Sequence, residues 1–471
     1  LALTALRLAV AATMPLSPDE AYYWVWSRAL APGYLDHPPM VALWVRAGTA
    51  IAGDTALGIR LLAPFAVALA SLLIADAAAL LVPVAGSGVL AASLLNATLL
   101  FGIGGATMTP DTPLLFFWCA AMAALARIAC DGGGAWFVAA GLCIGLTLAS
   151  KYTGVMLALG AALWVLAVPG LRAKLAGPWP WLGALAAALP FVPVVWWNAE
   201  HGWASFAKQG GRAGDFHPAR AAQFLAELVF GQIGLATPLV FLLCIAGLVL
   251  AARIAWRRRE PRWTLLAALG WPSVVLFVQH ALGDRVQGNW PAIVYPAAAV
   301  AATGLIAPRW QRLRTPALAL GLAMTLLVYA LALWPPLPPR FDPLARILAG
   351  WPALADAIDA AGRHAGAQFV AADQYGLAGE LALHLPPSVT VIGIEPRWAL
   401  FALPPAQIAG QTGILVRSER RGDAPDPADW SDIVPIGEVA RTQNGGTAEG
   451  YRLFRVTARA GNTPAAVMPR P

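Results

Sequence analysis

Apolar runs recur eleven times before Pro335, at about 1–14, 57–82, 88–107, 113–130, 135–149, 154–169, 179–197, 222–251, 264–281, 291–307 and 316–335. In hydrocarbon every backbone N–H and C=O must be satisfied within the segment, so such runs leave the chain little but membrane helices to form. Several are shorter than the roughly 20 residues a span usually needs, which softens their ends. The composition agrees: of 471 residues, 59% are apolar and only 12% charged, against about 25% charged in an ordinary soluble domain. The first run is short and lacks an initiator Met, so either the N-terminus is trimmed or this segment is the outer half of a longer first helix.

Charge divides the chain near Pro335. Residues 336–471 hold 13 acidic and 12 basic side chains, so the +7 net charge belongs wholly to the part before them. We therefore expect a transmembrane domain over 1–335 and a C-terminal water-facing domain over 336–471. The tail reads as a small α/β unit, with helical stretches near 343–364 and 375–385, strand-like runs at 368–372, 389–393 and 413–417, and an Asp/Pro/Arg-rich loop over 418–432. No basic patch lies on a soluble face, which argues against a nucleic-acid partner. Cys119, Cys130, Cys143 and Cys244 lie in or at the ends of apolar runs without metal-ligand spacing, and read as packing residues.

Orientation follows the Lys/Arg bias of short loops. With eleven spans, the basic loops at 253–262, 309–314 and 172–174 fall on one side, the expected cytoplasm. The other side receives Asp19, Glu20, Asp36, Asp54, Asp111, Glu200, Asp215, Asp284 and the tail. Outer loops are expected at about 15–56, 108–112, 150–153, 198–221 and 283–290.

The stretch Ser17-Pro-Asp19-Glu20-Ala-Tyr22-Tyr23-Trp24-Val-Trp26 sets two adjacent carboxylates before four aromatic rings. One reading is a polar cup with stacking walls at the outer interface. The other is a helix N-terminus capped by acids beside an interfacial aromatic belt. The residues alone leave both open. Asp111, in Thr-Pro-Asp-Thr-Pro, is either a helix cap or a functional acid. Lys151, one of three lysines, sits between two short spans, where an ionisable group needs a partner: a phosphate or a buried carboxylate. Trp197, Trp203, His201 and the cations of 208–212 share one loop, and Arg285 lies in a polar turn re-entering the bilayer.

Taken in order, Asp-Glu-Ala-Tyr-Tyr-Trp (19–24), Asp-His-Pro-Pro (36–39), Asp-Thr-Pro-Leu-Leu-Phe-Phe-Trp (111–118), Ser-Lys-Tyr-Thr (150–153), Trp-Asn-x-x-His-Gly-Trp (197–203) and Asn-Trp-Pro (289–291) closely resemble bacterial members of glycosyltransferase family 39. That family includes protein O-mannosyltransferase-like and aminoarabinose-transferase-like enzymes of the GT-C fold. The resemblance covers about 15–300 well and the tail loosely. It implies a polytopic α-helical membrane protein of GT-C type, with outer juxtamembrane helices and a periplasmic C-terminal α/β domain. It also implies an enzyme that takes a sugar from a polyprenyl-phosphate carrier in the bacterial inner membrane. On this resemblance Asp19 is the catalytic residue of the Asp-Glu pair. Asp36, with His201 as the later loop histidine, corresponds to residues associated with a divalent metal. His37 stands where aminoarabinose transferases carry Lys.

A lipid phosphate leaves readily as an anion, so it needs cations rather than a proton donor, and one carboxylate base suffices. Asp19 is the expected base, with Glu20 beside it and Asp111 as second acid. His37, Lys151, Arg212 and Arg285 are the candidates for the phosphate, and Tyr22, Tyr23, Trp24, Trp197 and Trp203 for stacking on sugar or isoprene. The expected reaction is inverting transfer to a cell-envelope lipid, glycan or protein on the periplasmic face. The alternative is a lipid-linked sugar flippase, but transporters gather polar residues at the bilayer midplane, whereas here they lie in loops.

Overall fold

The computed structural model describes residues 1–214, 217–459 and 465–471, with the side chains of 212–214 left out. The chain separates into two compact units: Leu1–Leu8, Pro32–Val41 and Leu62–Val328 form one, and Ala9–Ala31, Ala42–Leu61 and Tyr329–Pro471 the other.

Among the described residues, six helices are long and apolar enough to cross a membrane: Ala56–Leu81, Asp111–Ala129, Trp179–Glu200, Pro238–Arg258, Pro261–Ala281 and Pro308–Leu333. Shorter apolar helices include Ala135–Leu148, Tyr152–Ala167 and Trp290–Ala302. In the first unit small residues let these helices approach closely, the usual device where no hydrophobic drive brings helices together. A Cβ added at Gly141 would lie 1.9 Å from the Gly183 carbonyl oxygen, and one at Gly247 would lie 2.4 Å from the Ala302 nitrogen. Trp118 and Trp164 are fully buried in the same core.

Some expected runs are divided. The run at 222–251 is two helices, Ala221–Leu235 and Pro238–Arg258, because Thr237 adopts φ 64° ahead of Pro238. The run at 88–107 breaks after Asn96, where the Thr98 side chain caps a new turn over Leu99–Gly104. Residues expected as outer loop hold a helix over Met40–Ala52.

The second unit is built on a six-stranded sheet, β1 (Phe369–Ala372), β2 (Thr390–Gly393), β3 (Thr412–Ser418), β4 (Trp430–Gln443), β5 (Gly446–Ala458) and β6 (Ala466–Val467), in the order β4-β5-β3-β1-β2-β6. The central β3-β1-β2 trio is parallel: Phe369 faces Thr390 on one side and Gly413 on the other. Its strands are short and almost wholly apolar because both faces are covered. Phe369, Leu415, Val456 and Trp430 pack on one face. The expected loop over 418–432 ends at Trp430, where β4 starts a long hairpin with β5. The stretch near 343–364 is two helices, Pro343–Leu348 and Trp351–His364, parted by Gly350 at φ 79°. Helix Tyr375–His384 then lies directly on helix Pro18–Arg28. Gly379 makes this approach feasible, since a Cβ there would meet the Ala21 backbone at 2.9 Å.

Candidate active site

In the second unit, Ser17 ends an extended segment and caps helix Pro18–Arg28. Its Oγ accepts from the Glu20 N–H, while Glu20 Oε2 accepts from the Ser17 N–H at 3.0 Å. This capping box fixes the two neighbouring acids differently. Glu20 is fully buried, and Arg60 grips it with two bonds, Nε to Oε1 and Nη2 to Oε2, both 2.6 Å. Arg60 also donates to the carbonyls of Met14 at 2.6 Å and Pro15 at 2.8 Å. Asp19, one residue earlier, is exposed and accepts from the Tyr375 hydroxyl at 3.1 Å. A carboxylate in the first turn is favoured by the helix dipole and needs no buried counter-ion.

The aromatic residues that follow are packed. Tyr22, Tyr23, Trp24 and Trp26 are all buried, and Trp24 Nε1 donates to Asp54 Oδ1 at 2.8 Å. Tyr22 meets Trp26, Tyr375 and Trp398 at centroid distances of 5.0, 4.5 and 5.6 Å. Arg397 lies over the Tyr375 ring at 4.2 Å, donates to the Tyr22 hydroxyl at 3.2 Å and pairs with Glu395 at 2.8 Å. These rings tie Tyr375 and Arg397 to the helix that carries Asp19.

The first unit holds a separate cluster. Asp111 opens helix Asp111–Ala129, and Lys151 Nζ reaches its two oxygens at 2.7 and 2.9 Å. Asn289 Nδ2 donates to Asp111 Oδ2 at 2.6 Å. Of the two partners expected for Lys151, the one present is a buried carboxylate. A cavity of about 130 Å³ opens beside it, lined by His37, Lys151, Tyr152, Gln209, His280 and Trp290 among others. Asp36 pairs with Lys208 at 2.5 Å, and its carbonyl accepts from Gln209.

Other sequence candidates lie elsewhere. Arg285 makes a bidentate pair with Glu227, at 2.6 and 2.9 Å. Trp197 is buried, with Gly33 closing against its ring and His201 stacked on it at 4.2 Å. Trp203 is 47% exposed, at φ 60°. The Arg212 side chain and Asp215 lie outside the described residues.

The arrangement does not suit the metal implied for Asp36 and His201. Asp36 holds a lysine, His201 Nδ1 is bonded to the Trp197 carbonyl at 2.8 Å, and among the described residues no three His, Cys, Asp or Glu side chains gather.

Set against solved structures, the chain aligns over 98% of its length with 97% of ArnT from Cupriavidus metallidurans bound to undecaprenyl phosphate, at TM-score 0.65 and 15% identity. The apo form of that protein aligns at TM-score 0.60 and 17% identity, over 96% of each chain. At this identity the likeness shows the membrane GT-C fold. Residues 36–197 match the family model for dolichyl-phosphate-mannose-protein mannosyltransferase. Among curated proteins, the lipid A galacturonosyltransferase RgtD of Rhizobium johnstonii (strain DSM 114642 / LMG 32736 / 3841) is 27% identical over 310 residues, 62% of this chain and 61% of that one. These likenesses agree with one another in pointing to membrane glycosyltransferases, with the family-model match confined to about a third of the chain. This chain spans about three fifths of the length of that galacturonosyltransferase. The matched family segment takes in Asp36, His37, Asp111 and Lys151, and begins after Asp19.

Sequence reasoning missed Arg60, Tyr375 and Arg397, and it named Lys208 without its partner Asp36. Arg60 carried one usable signal, an arginine just before an apolar run in a segment with acids to neutralise. Tyr375 and Arg397 carried none, since Tyr375 meets Asp19 across 356 residues of chain.

Proposed function

We propose that this GT-C protein transfers a sugar from a polyprenyl-phosphate donor to a lipid or glycan acceptor of the cell envelope, at the outer face of the inner membrane, with inversion at the anomeric carbon. One observation carries the assignment of the base. Of the two adjacent acids, Glu20 is wholly engaged by Arg60 and the cap, whereas Asp19 is exposed and touched by a hydroxyl. The undecaprenyl phosphate bound by ArnT and the lipid A substrate of RgtD support the donor and acceptor classes. The outer-face placement rests on the eleven-span reading of the sequence.

In the reaction an acceptor oxygen forms a bond to the anomeric carbon while the bond from that carbon to the phosphate oxygen breaks. The electron pair leaves with the lipid phosphate, and the acceptor proton passes to Asp19. Tyr375 donates to Asp19 Oδ1 and so orients the carboxylate. The leaving phosphate is already a stable anion, so the remaining requirement is donors that meet its charge. Within the first unit, His37, Lys151 and Gln209 line one cavity, a set of donors whose chemistry suits a lipid phosphate. Lys151 can serve because Asn289 shares its carboxylate.

The test is turnover of an undecaprenyl-phosphate sugar by the full chain in proteoliposomes. Asp19→Asn should lower transfer by roughly 10²–10⁴-fold while insertion and thermal unfolding stay unchanged. Near-normal turnover in that variant removes Asp19 as base. Movement of the donor across the bilayer without bond cleavage overturns transfer in favour of a flippase.

A further inference from the structure

The second unit holds a cavity of about 390 Å³ that the reaction above does not use. This lies within the roughly 300–1,000 Å³ of small-molecule sites. It opens where the three parallel strands end: Asp373 follows β1, Glu395 follows β2 and Arg417 closes β3. The carboxyl ends of parallel strands are the usual ligand position in an open α/β sheet. The loop after β3 forms the other wall, with Arg421, Asp423 and Asp426.

A second observation marks the cavity as built for a ligand. Asp373 is 7% exposed; Arg417, 5% exposed, lies 2.7 Å from its Oδ2, and Arg421 approaches the same oxygen at 3.5 Å. Asp373 Oδ1 has no hydrogen-bond partner among the described residues, and burial raises the carboxyl above the ordinary aspartate range. A buried acceptor left in this state costs free energy unless a donor reaches it. The lining sets five carboxylates against two guanidiniums, which disfavours a phosphate or a uronate. It suits a ligand rich in hydroxyls, which donate to carboxylates and accept from arginine. Trp430 is nearly fully buried against Phe369 and forms part of the lining without an open face.

The cavity is also tied to the proposed base. Asp373 stands two residues before Tyr375, which touches Asp19, and Glu395 pairs with Arg397 over the Tyr375 ring. We propose that this cavity is the acceptor's carbohydrate subsite, taking a neutral or amine-bearing sugar. The inference rests on the transfer reading above for the identity of the ligand as acceptor, but its binding chemistry stands apart from it.

The experiment is saturation-transfer NMR on the full chain in nanodiscs with glucosamine, glucose and glucuronate as probes. Glucosamine should give the strongest signal and glucuronate the weakest. Arg421→Ala, at the exposed rim, and Asp373→Asn, of unchanged shape, should each weaken glucosamine binding by roughly 3–10-fold. In the transfer assay Arg421→Ala should raise the acceptor KM by a similar factor and leave the donor KM alone. Glucuronate binding as tightly as glucosamine, or signals indifferent to both variants, overturns the subsite. If the wild type transfers nothing while sugar binding stays sensitive to Arg421→Ala, the transfer reading fails and the carbohydrate site stands.

Discussion

Each of the two units holds a buried acid against a cation, Glu20 against Arg60 and Asp111 against Lys151, and these two pairs differ in what else the cation holds. Arg60 meets Glu20 and also the carbonyls of Ala11, Met14 and Pro15, so its five donors are spread over the segment leading into helix Pro18–Arg28. Lys151 Nζ meets Asp111, and among the described residues its side chain has no further hydrogen-bond partner; Asn289 shares the acid and a cavity adjoins. The first pair is a fastening that shapes the backbone beneath Asp19. The second is a held cation with room beside it for an anion. Burial alone does not separate the two cases; the remaining partners of the cation do.

Breaking the fastening should give the largest effect. Arg60→Met removes the arginine from a buried Glu20 inside the second unit, which costs about 3–5 kcal/mol. We expect a chain that inserts poorly and unfolds early, measured by thermal unfolding in detergent. Arg60→Met with Glu20→Leu should regain much of that stability, because a buried pair replaced by apolar side chains is often neutral. If the single variant unfolds like the wild type, the pair is not the fastening described here.

At the other pair the expected outcome is reversed. Lys151→Met should destabilise by leaving Asp111 with Asn289 alone, and adding Asp111→Asn should restore the unfolding midpoint. Transfer should nonetheless stay down by about 10²-fold in the double variant, the usual cost of removing one charge-stabilising donor. Recovery of transfer together with stability would make Lys151 a structural residue like Arg60.

How far these roles were legible in the sequence depends on range. Ser17-Pro-Asp-Glu20 is a local capping box, and the requirement that Lys151 find a partner follows from the cost of a charge at membrane depth, so both features could be anticipated from neighbouring residues. Their partners could not: Arg60 lies 40 residues from Glu20, Lys208 lies 172 from Asp36 and Tyr375 lies 356 from Asp19. Such pairings are set by packing. Two local signals were present and unused. Thr237-Pro238 marks the break inside the run at 222–251. Asn444-Gly445, with φ of 49° and 70°, is the two-residue turn that predicts the β4–β5 hairpin.

Another buried acid extends the comparison. Glu380, in helix Tyr375–His384, is fully buried like Glu20, but it meets an imidazole, with His384 Nε2 3.3 Å from Oε2. Burial raises the Glu380 carboxyl above its ordinary range; the contact with His384 opposes this, and Glu20 adds to it. An acid whose folded pKa is raised favours the folded state below the unfolded value, near 4.5, and loses that contribution as pH rises through the folded value. Glu380 should therefore weaken the second unit towards neutral pH, opposite to an acid gripped by arginine. Glu380→Gln is expected to raise the unfolding midpoint by a few degrees at pH 7 and to leave it nearly unchanged at pH 4, read from thermal scans of the full chain across that range. A loss of stability at pH 7 would mean that the His384 contact outweighs desolvation, and would place Glu380 with Glu20 as a fastened acid.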